Sequence, residues 1–149
     1  MSRSGYSDDC DQWQLIRWRG AVTSAIRGRR GQAFLKEMLV AMDALPEPKL
    51  IDSDLEREGA VCALGSVGKA RGMNLSGLDP YDHETVAVKF GVANALACEI
   101  MWENDDSGPF KETPEARFAR VRRWIVSQIV PEQLAVETCE RFAQAEGER

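Results

Sequence analysis

An acidic run near residue 100 contains the side chains with the clearest potential for chemistry. Glu99 and Glu103 lie four positions apart, so a helix places both on one face. Asp105 and Asp106 follow two and three positions after Glu103. Helical phosphohydrolases bind a divalent cation with carboxylates at this spacing, but they need a second acidic helix to complete the cage. Since such a run is more commonly a solvated helix face, we interpret these acids as partner-binding residues and predict no metal ion. A metal-dependent phosphohydrolase remains an alternative.

The other reactive residue types form no catalytic constellation. His83 lies in "DPYDHET" without a nucleophile in the same motif, so we predict a surface histidine and not a general base. Neither the G-x-S-x-G nor the G-x-x-x-x-G-K-[ST] pattern occurs. The four cysteines lie far apart in the sequence and form no C-x-x-C pair, which predicts reduced, mostly buried thiols; they are Cys10, Cys62, Cys98 and Cys139. The sequence therefore predicts no catalytic residue, no cofactor and no enzymatic activity.

A basic segment precedes these acids in the chain. Residues 17–34, "RWRGAVTSAIRGRRGQAF", contain five arginines and no acid, although the whole chain has a formal net charge of −5. An overall negative charge opposes binding to phosphates, which argues against direct contact with nucleic acid. Arg29 and Arg30 become candidate partner-binding residues. Three roles stay open for the segment: pairing within the protein or across a dimer interface, contact with another protein, or contact with nucleic acid.

Hydrophobic spacing predicts helices in the first third of the chain. A helix over residues 7–27 has Ser7, Asp8 or Asp9 as its cap. Its predicted buried stripe contains Trp13, Ile16 and Ile26, with Leu15, Trp18 and Val22 beside it. The segment "GRRG" forms a turn to a second helix, which buries Phe34 to Leu45 at three- and four-residue intervals and ends before Pro46. These two helices form a hairpin with the arginines around its connection.

The middle and end of the chain contain five further candidate helices. One begins near Asp52, but three glycines weaken the prediction of a helix there. The segment 60–72 is either helix or strand, and a short strand at residues 60–64 is the alternative. The next has Asp79 as its N-cap and ends at Gly91, and another covers residues 92–106. Thr113 and Pro114 begin a helix that buries Phe118, Val121 and Ile125, with Arg117, Arg120, Arg122 and Arg123 around the rest. A last helix begins at Pro131.

Residues 84–102 have spacings similar to those of a helix-turn-helix motif. The second helix of such a motif enters the major groove and needs Lys, Arg, Asn or Gln to reach bases and phosphates. This one contains Asn94 but no Lys or Arg, and it continues into the acidic run. A plain helix pair with a glycine corner is therefore our interpretation, and a DNA-binding regulator is the alternative.

Together these patterns predict an all-α fold, a compact single-domain bundle of about six to seven helices over residues 1–149. We expect residues 1–6 and 146–149 to be flexible. No apolar run approaches the roughly 20 residues that cross a bilayer, so we expect no membrane association and a cytosolic protein.

Two sequence blocks carry a resemblance to a known group of proteins. They are "QWQLIRWRGAVTSAIRGRRGQAFLKEMLVAMDAL" and "VCALGSVGKARGMNLSGLDPYDHETVAVKFGVANALACEIMWENDD". Both resemble small proteins encoded by bacteriophages and prophages, among them anti-CRISPR proteins. The resemblance implies a stoichiometric inhibitor, often a homodimer, that binds a multi-subunit CRISPR–Cas surveillance complex in the cytoplasm of the host bacterium.

Overall fold

The computed structural model describes residues 11–131 and has the predicted all-α architecture, with one very small sheet. Six helices lie in this range: α1 Gln12–Arg27, α2 Arg29–Asp43, α3 Ala63–Ala70, α4 His83–Phe90, α5 Asn94–Asp105 and α6 Pro114–Gln128. The sheet is a hairpin of β1 Glu56–Arg57 and β2 Ala60–Val61. The helix predicted from Pro131 onward lies outside the described residues, as do the ends predicted to be flexible.

A single hydrophobic core joins the six helices. The helix α5 is its centre, because it contacts α1, α3, α4 and α6. Its residues from Leu96 to Met101 are all buried. The aromatic rings of Phe34 on α2 and Phe90 on α4 meet edge to face, with centroids 6.3 Å apart. The core therefore brings together elements from the whole described range.

The connection between α1 and α2 is shorter than predicted. Only Gly28 separates the two helices, and Arg29 and Arg30 already belong to the first turn of α2. Gly31 makes this possible: a Cβ atom there would lie 1.7 Å from the carbonyl oxygen of Ala25. Because glycine has no side chain, the start of α2 approaches the end of α1 closely.

The predicted buried stripe of α1 is confirmed at Ile26 and is wrong at Trp13 and Ile16. Trp13 is 71% exposed and Ile16 is 55% exposed, whereas Val22 and Ile26 are buried. Trp18 packs partly buried beside them. Trp13 and Ile16 have helical spacing, and so do Val22 and Ile26. Contact with α2 and α5 buries the second pair. The N-cap is Asp11, which accepts a hydrogen bond from the Gln14 amide at 2.8 Å; the predicted caps lie outside the described residues.

The segment after α2 forms a hairpin where the sequence predicted the start of a helix. Glu58 and Gly59 have φ angles of 52° and 82°, the left-handed pair that a tight two-residue hairpin turn needs. The strand alternative is thus confirmed at Ala60–Val61, and α3 begins only at Ala63. Gly65 permits a close contact, because a Cβ there would lie 1.9 Å from the Leu55 carbonyl oxygen.

Local signals set both ends of α4 and the start of α6. The predicted cap at Asp79 is wrong: Asp79 closes a turn, and Asp82 caps α4 by accepting from the Thr85 amide at 3.2 Å. Gly91 ends α4 with a φ of 71°, as predicted. Thr113 caps α6, where Pro114 is the first residue, also as predicted.

No single helix within residues 11–131 has the length and apolar content of a membrane span. The helices α4 and α5 reach that length and composition only as a pair, which is bent by 106°.

Candidate interaction surface

The acidic run is mostly enclosed, which corrects the predicted solvated face. Glu99 and Glu103 do share one side of α5, but they are only 3% and 8% exposed. Asp105 is half-buried and Asp106 is exposed. The error arises because α5 has neighbours on several sides, so that its acidic face points inward. Only the end of the run remains available to a partner.

Two buried carboxylates of this region, those of Glu103 and Glu112, lie against one arginine, Arg120. Within residues 11–131, no group of three or more His, Cys, Asp or Glu side chains is arranged to hold a metal ion. Instead, Arg120 donates hydrogen bonds from Nε and Nη2 to the two oxygens of Glu112, at 2.8 and 2.9 Å. Its Nη1 donates to the Glu103 carbonyl oxygen and lies 3.9 Å from the Glu103 carboxylate. This bidentate pair, the Arg120–Glu112 clamp, ties α6 to the loop that precedes it, and the Nη1 bond ties α6 to the end of α5.

Burial and charge together define the clamp's electrostatics. The Glu112 side chain is 4% exposed, and the hydrogen bonds from Arg120 hold the pKa of its carboxyl below the usual range despite that burial. Gly108 leaves room for the carboxylate, since a Cβ there would lie 2.4 Å from Glu112 Oε2. The clamp is therefore a structural element and not an open charged surface.

Arg117 is a second buried arginine of α6, although the sequence predicted it on the outside. Its Nη1 donates to the Leu50 carbonyl oxygen at 3.0 Å and its Nη2 to Asp52 at 3.3 Å. The sequence contained a signal for this burial: Arg117 precedes Val121 and Ile125 at four-residue intervals and so lies on their stripe. Arg117 thereby attaches the linker after α2 to α6.

Asn104 connects three elements from inside the core. Its Oδ1 accepts from the Ala63 amide at 3.0 Å, and its Nδ2 donates to the Ile51 carbonyl oxygen at 2.9 Å and to Asp105 at 2.7 Å. Burial raises the pKa of the Asp105 carboxyl, against the effect of its hydrogen bonds. Sequence reasoning did not find Asn104, because its partners lie far away in the chain.

The cavity beside Asp105 is too small and too inert for catalysis. It measures about 10 Å³, which is room for about one water molecule. Cys62 lines it, and burial raises the pKa of the Cys62 thiol to about 12. The thiol is therefore protonated near neutral pH and is a poor nucleophile.

The basic segment forms the most distinctive surface. Its five arginines are exposed, and none makes an ion pair with another residue between 11 and 131; they are Arg17, Arg19, Arg27, Arg29 and Arg30. We call these five residues the α1–α2 basic surface. In contrast, five of the other arginines in this range contact carboxylates, and these are Arg57, Arg71, Arg117, Arg120 and Arg122. The sequence alone left open whether these arginines form ion pairs within the protein. No such ion pair is present among residues 11–131.

Arg29 and Arg30 lie beside a cavity of about 230 Å³, together with Ala93 and Leu96 at the start of α5. Neither α2 nor α5 has a side chain that caps its N-terminus. The partial positive charges of two helix ends therefore add to the arginines and make this region electropositive. The structure does not bring Arg29 and Arg30 together with Asp105 and Asp106, which lie at the other end of α5, about 16 Å along the helix axis.

The α4–α5 pair has the angle of a helix-turn-helix but not its accessibility. The two helices bend by 106° across a short break. The second helix, α5, is the one with buried residues from Leu96 to Met101, and it is surrounded by other helices. A helix enclosed in this way has no free face to place in a DNA groove.

Comparisons with known proteins find no match to the chain among protein families or curated proteins, and none among solved structures.

Proposed function

We propose that the protein is a non-catalytic, stoichiometric inhibitor that docks on a multi-subunit CRISPR–Cas surveillance complex of a host bacterium. The resemblance of two sequence blocks to phage-encoded proteins suggests the target. The single structural observation in support is the α1–α2 basic surface. Its five exposed arginines make no ion pair with a residue between 11 and 131 and are positioned to contact an acidic protein surface.

The basic surface supports docking better than it supports either alternative. A DNA-binding regulator needs an accessible recognition helix, and α5 is buried. A phosphohydrolase needs clustered metal ligands, whereas the buried carboxylates Glu103 and Glu112 face Arg120. Of the predicted contact residues, Arg29, Arg30, Asp105 and Asp106 stay in the proposal. Glu99 and Glu103 are removed from it because they are buried.

Charge reversal at the basic surface tests this function. The double variant Arg29→Glu/Arg30→Glu changes the net charge by −4, and Lys69→Glu/Lys89→Glu makes the same change at exposed lysines elsewhere. Purified surveillance complexes are incubated with each protein, and complex binding and target-DNA binding are measured. We expect the arginine variant to bind at least tenfold more weakly, which corresponds to about 1.4 kcal/mol. The lysine variant should inhibit like the wild type.

Two results would contradict the proposal. One is target-DNA binding that continues unchanged in an excess of wild-type protein. The other is equal loss of inhibition in both double variants, which would indicate a general effect of net charge. Light scattering of the wild-type preparation tests at the same time for the homodimer that the resemblance implies.

A further inference from the structure

We propose that the cavity beside Arg29 and Arg30 binds an acidic segment of the partner protein, with one apolar side chain inside the cavity and carboxylates at its rim. We call this cavity the corner pocket, because it lies between the corner of α1 and α2 and the start of α5. The inference rests on the proposed function and names the partner chemistry that the two arginines recognise.

The corner pocket has the size and the lining for one apolar side chain. It measures about 230 Å³, and a cavity of roughly 150 Å³ already holds a benzene molecule. Its apolar lining comes from Ala25 and Ala93, which are half-buried, and from Val92 and Leu96, which also belong to the core. A leucine or phenylalanine side chain of a partner therefore fits there and buries apolar surface against these residues.

The rim of the corner pocket is positively charged. Arg29 and Arg30 line it and are exposed. Neither makes an ion pair with a residue between 11 and 131, and no acidic residue in that range lines the pocket. Carboxylates on both sides of the bound apolar side chain would supply the opposite charges, since a guanidinium group binds a carboxylate through two parallel hydrogen bonds. Charge complementarity therefore selects an acidic segment.

The lining of the corner pocket favours a protein over a nucleic acid. A phosphate backbone has no apolar side chain to place beside Ala25 and Ala93. Proteins that bind single strands stack the bases on aromatic side chains, and no aromatic residue between 11 and 131 lines this pocket. Exposed arginines also attract phosphates, so an oligonucleotide belongs in the test.

A second copy of the chain is the competing occupant. Phe110, in the loop between α5 and α6, is 91% exposed, and the exposed Asp106 lies four positions before it. An exposed phenylalanine close to an acid has the chemistry that the corner pocket would bind. Light scattering of wild type and Phe110→Ala therefore accompanies the binding test.

The test uses the full-length protein and a fluorescein-labelled peptide that has a central leucine between two pairs of glutamates. One control peptide carries glutamine at every glutamate position, and another carries alanine in place of the leucine. Fluorescence anisotropy measures the binding of each peptide to wild type and to the variants. We expect both control peptides to bind wild type at least tenfold more weakly than the glutamate–leucine peptide.

One pair of variants tests the space inside the corner pocket. Ser24→Trp fills the pocket without a change of charge, because Ser24 is an exposed lining residue. Thr23→Trp places the same side chain at the exposed neighbouring position, which does not line the pocket. We expect Ser24→Trp to bind the glutamate–leucine peptide at least tenfold more weakly than wild type, and Thr23→Trp to bind it within a factor of two of wild type.

A second pair tests the charge of the rim. Arg29→Gln/Arg30→Gln removes two positive charges from the pocket, and Lys69→Gln/Lys89→Gln removes two exposed positive charges elsewhere. We expect the arginine variant to bind the glutamate–leucine peptide at least tenfold more weakly than wild type. The lysine variant should bind it within a factor of two of wild type.

Four results would overturn the inference. Three are a glutamate–leucine peptide that does not bind wild type, a Ser24→Trp or arginine variant that binds it like wild type, and a 20-nucleotide oligothymidine that binds wild type more tightly than the peptide. The fourth is a wild-type dimer that Phe110→Ala converts to a monomer with tighter peptide binding, because a second copy then occupies the pocket.

A parallel measurement on the surveillance complex separates this inference from the proposed function. If the complex binds Ser24→Trp as well as wild type, the corner pocket is not the docking site and the inference fails, although the proposed function stands. If the peptide binds as expected but no surveillance complex binds wild type, the proposed function fails and the corner pocket remains a binding site for acidic segments.

Discussion

Replacement of Glu112 by glutamine tests whether the Arg120–Glu112 clamp stabilises the fold. The glutamine keeps one acceptor oxygen but turns an amide NH₂ group toward the arginine, so one of the two hydrogen bonds at 2.8 and 2.9 Å is lost. A hydrogen bond to a charged group contributes about 1.5–3 kcal/mol. Breaking a fully buried ion pair costs about 3–5 kcal/mol.

The expected loss in the free energy of unfolding lies where these two ranges meet, because solvent reaches part of the clamp. The Arg120 side chain is 17% exposed and the Glu112 side chain is 4% exposed. We therefore expect the free energy of unfolding to fall by about 3 kcal/mol at pH 7. With an unfolding entropy of about 2.1 cal/mol/K per residue, this corresponds to a decrease in Tm of about 10 °C.

The pH dependence has a defined sign. The pKa of Glu112 is lower in the folded protein than its usual value of 4.5, so protons bind more readily to the unfolded chain. The stabilisation is therefore complete above pH 4.5 and is lost as the pH falls through the lower folded value. Glutamine does not titrate, so the difference between wild type and Glu112→Gln should shrink in acid.

Urea unfolding followed by tryptophan fluorescence, at pH 7 and at several values below 4.5, measures this difference. The carboxyls of Glu37 and Asp43 also have lowered pKa values, but both proteins retain them, so their effects cancel. Glu115→Gln is the matched control, because Glu115 is 55% exposed and its Lys49 contact is 3.6 Å. It should cost less than about 0.5 kcal/mol. A Glu112 effect below about 1 kcal/mol, or one that is equal at all pH values, would refute the reasoning.

Two further predictions concern the packing of α1 and α5. Gly31→Ala places a Cβ 1.7 Å from a backbone oxygen, so we expect the free energy of unfolding to fall by about 2–3 kcal/mol. A Cβ at Gly20 meets open space, so Gly20→Ala should raise the free energy of unfolding by about 0.5–1 kcal/mol. Urea midpoints that shift in the same direction for Gly31→Ala and Gly20→Ala would contradict this prediction. Asn104→Ala leaves two backbone groups without their partner, which should cost about 3 kcal/mol and accelerate hydrogen exchange at the Ala63 amide. An unchanged exchange rate would show that the Ala63 amide does not depend on Asn104. The control variant is Asn94→Ala, at an exposed position, which should change the free energy of unfolding by less than about 0.5 kcal/mol.

Several features of this fold could be predicted from neighbouring residues alone. The Thr113–Pro114 start of α6 and the Gly91 end of α4 depend on capping bonds and backbone angles that involve only a few positions. The overall helical class follows from hydrophobic spacing in the same way. At Asp79, a second acid three residues later offered an equal cap, and a local pattern does not choose between them.

Burial, in contrast, depends on partners that are distant in the chain. The helix α1 has two stripes with helical spacing, and contact with α2 and α5 buries the one with Val22 and leaves Trp13 exposed. Arg117 is buried because the carbonyl group of Leu50, 67 positions earlier, accepts its hydrogen bond. Charged side chains enter a core only where such partners offset the loss of water. Those partners come together only when the helices pack. The enclosed acids, and the lack of ion pairs between the α1–α2 basic surface and the rest of residues 11–131, are therefore properties of the tertiary structure.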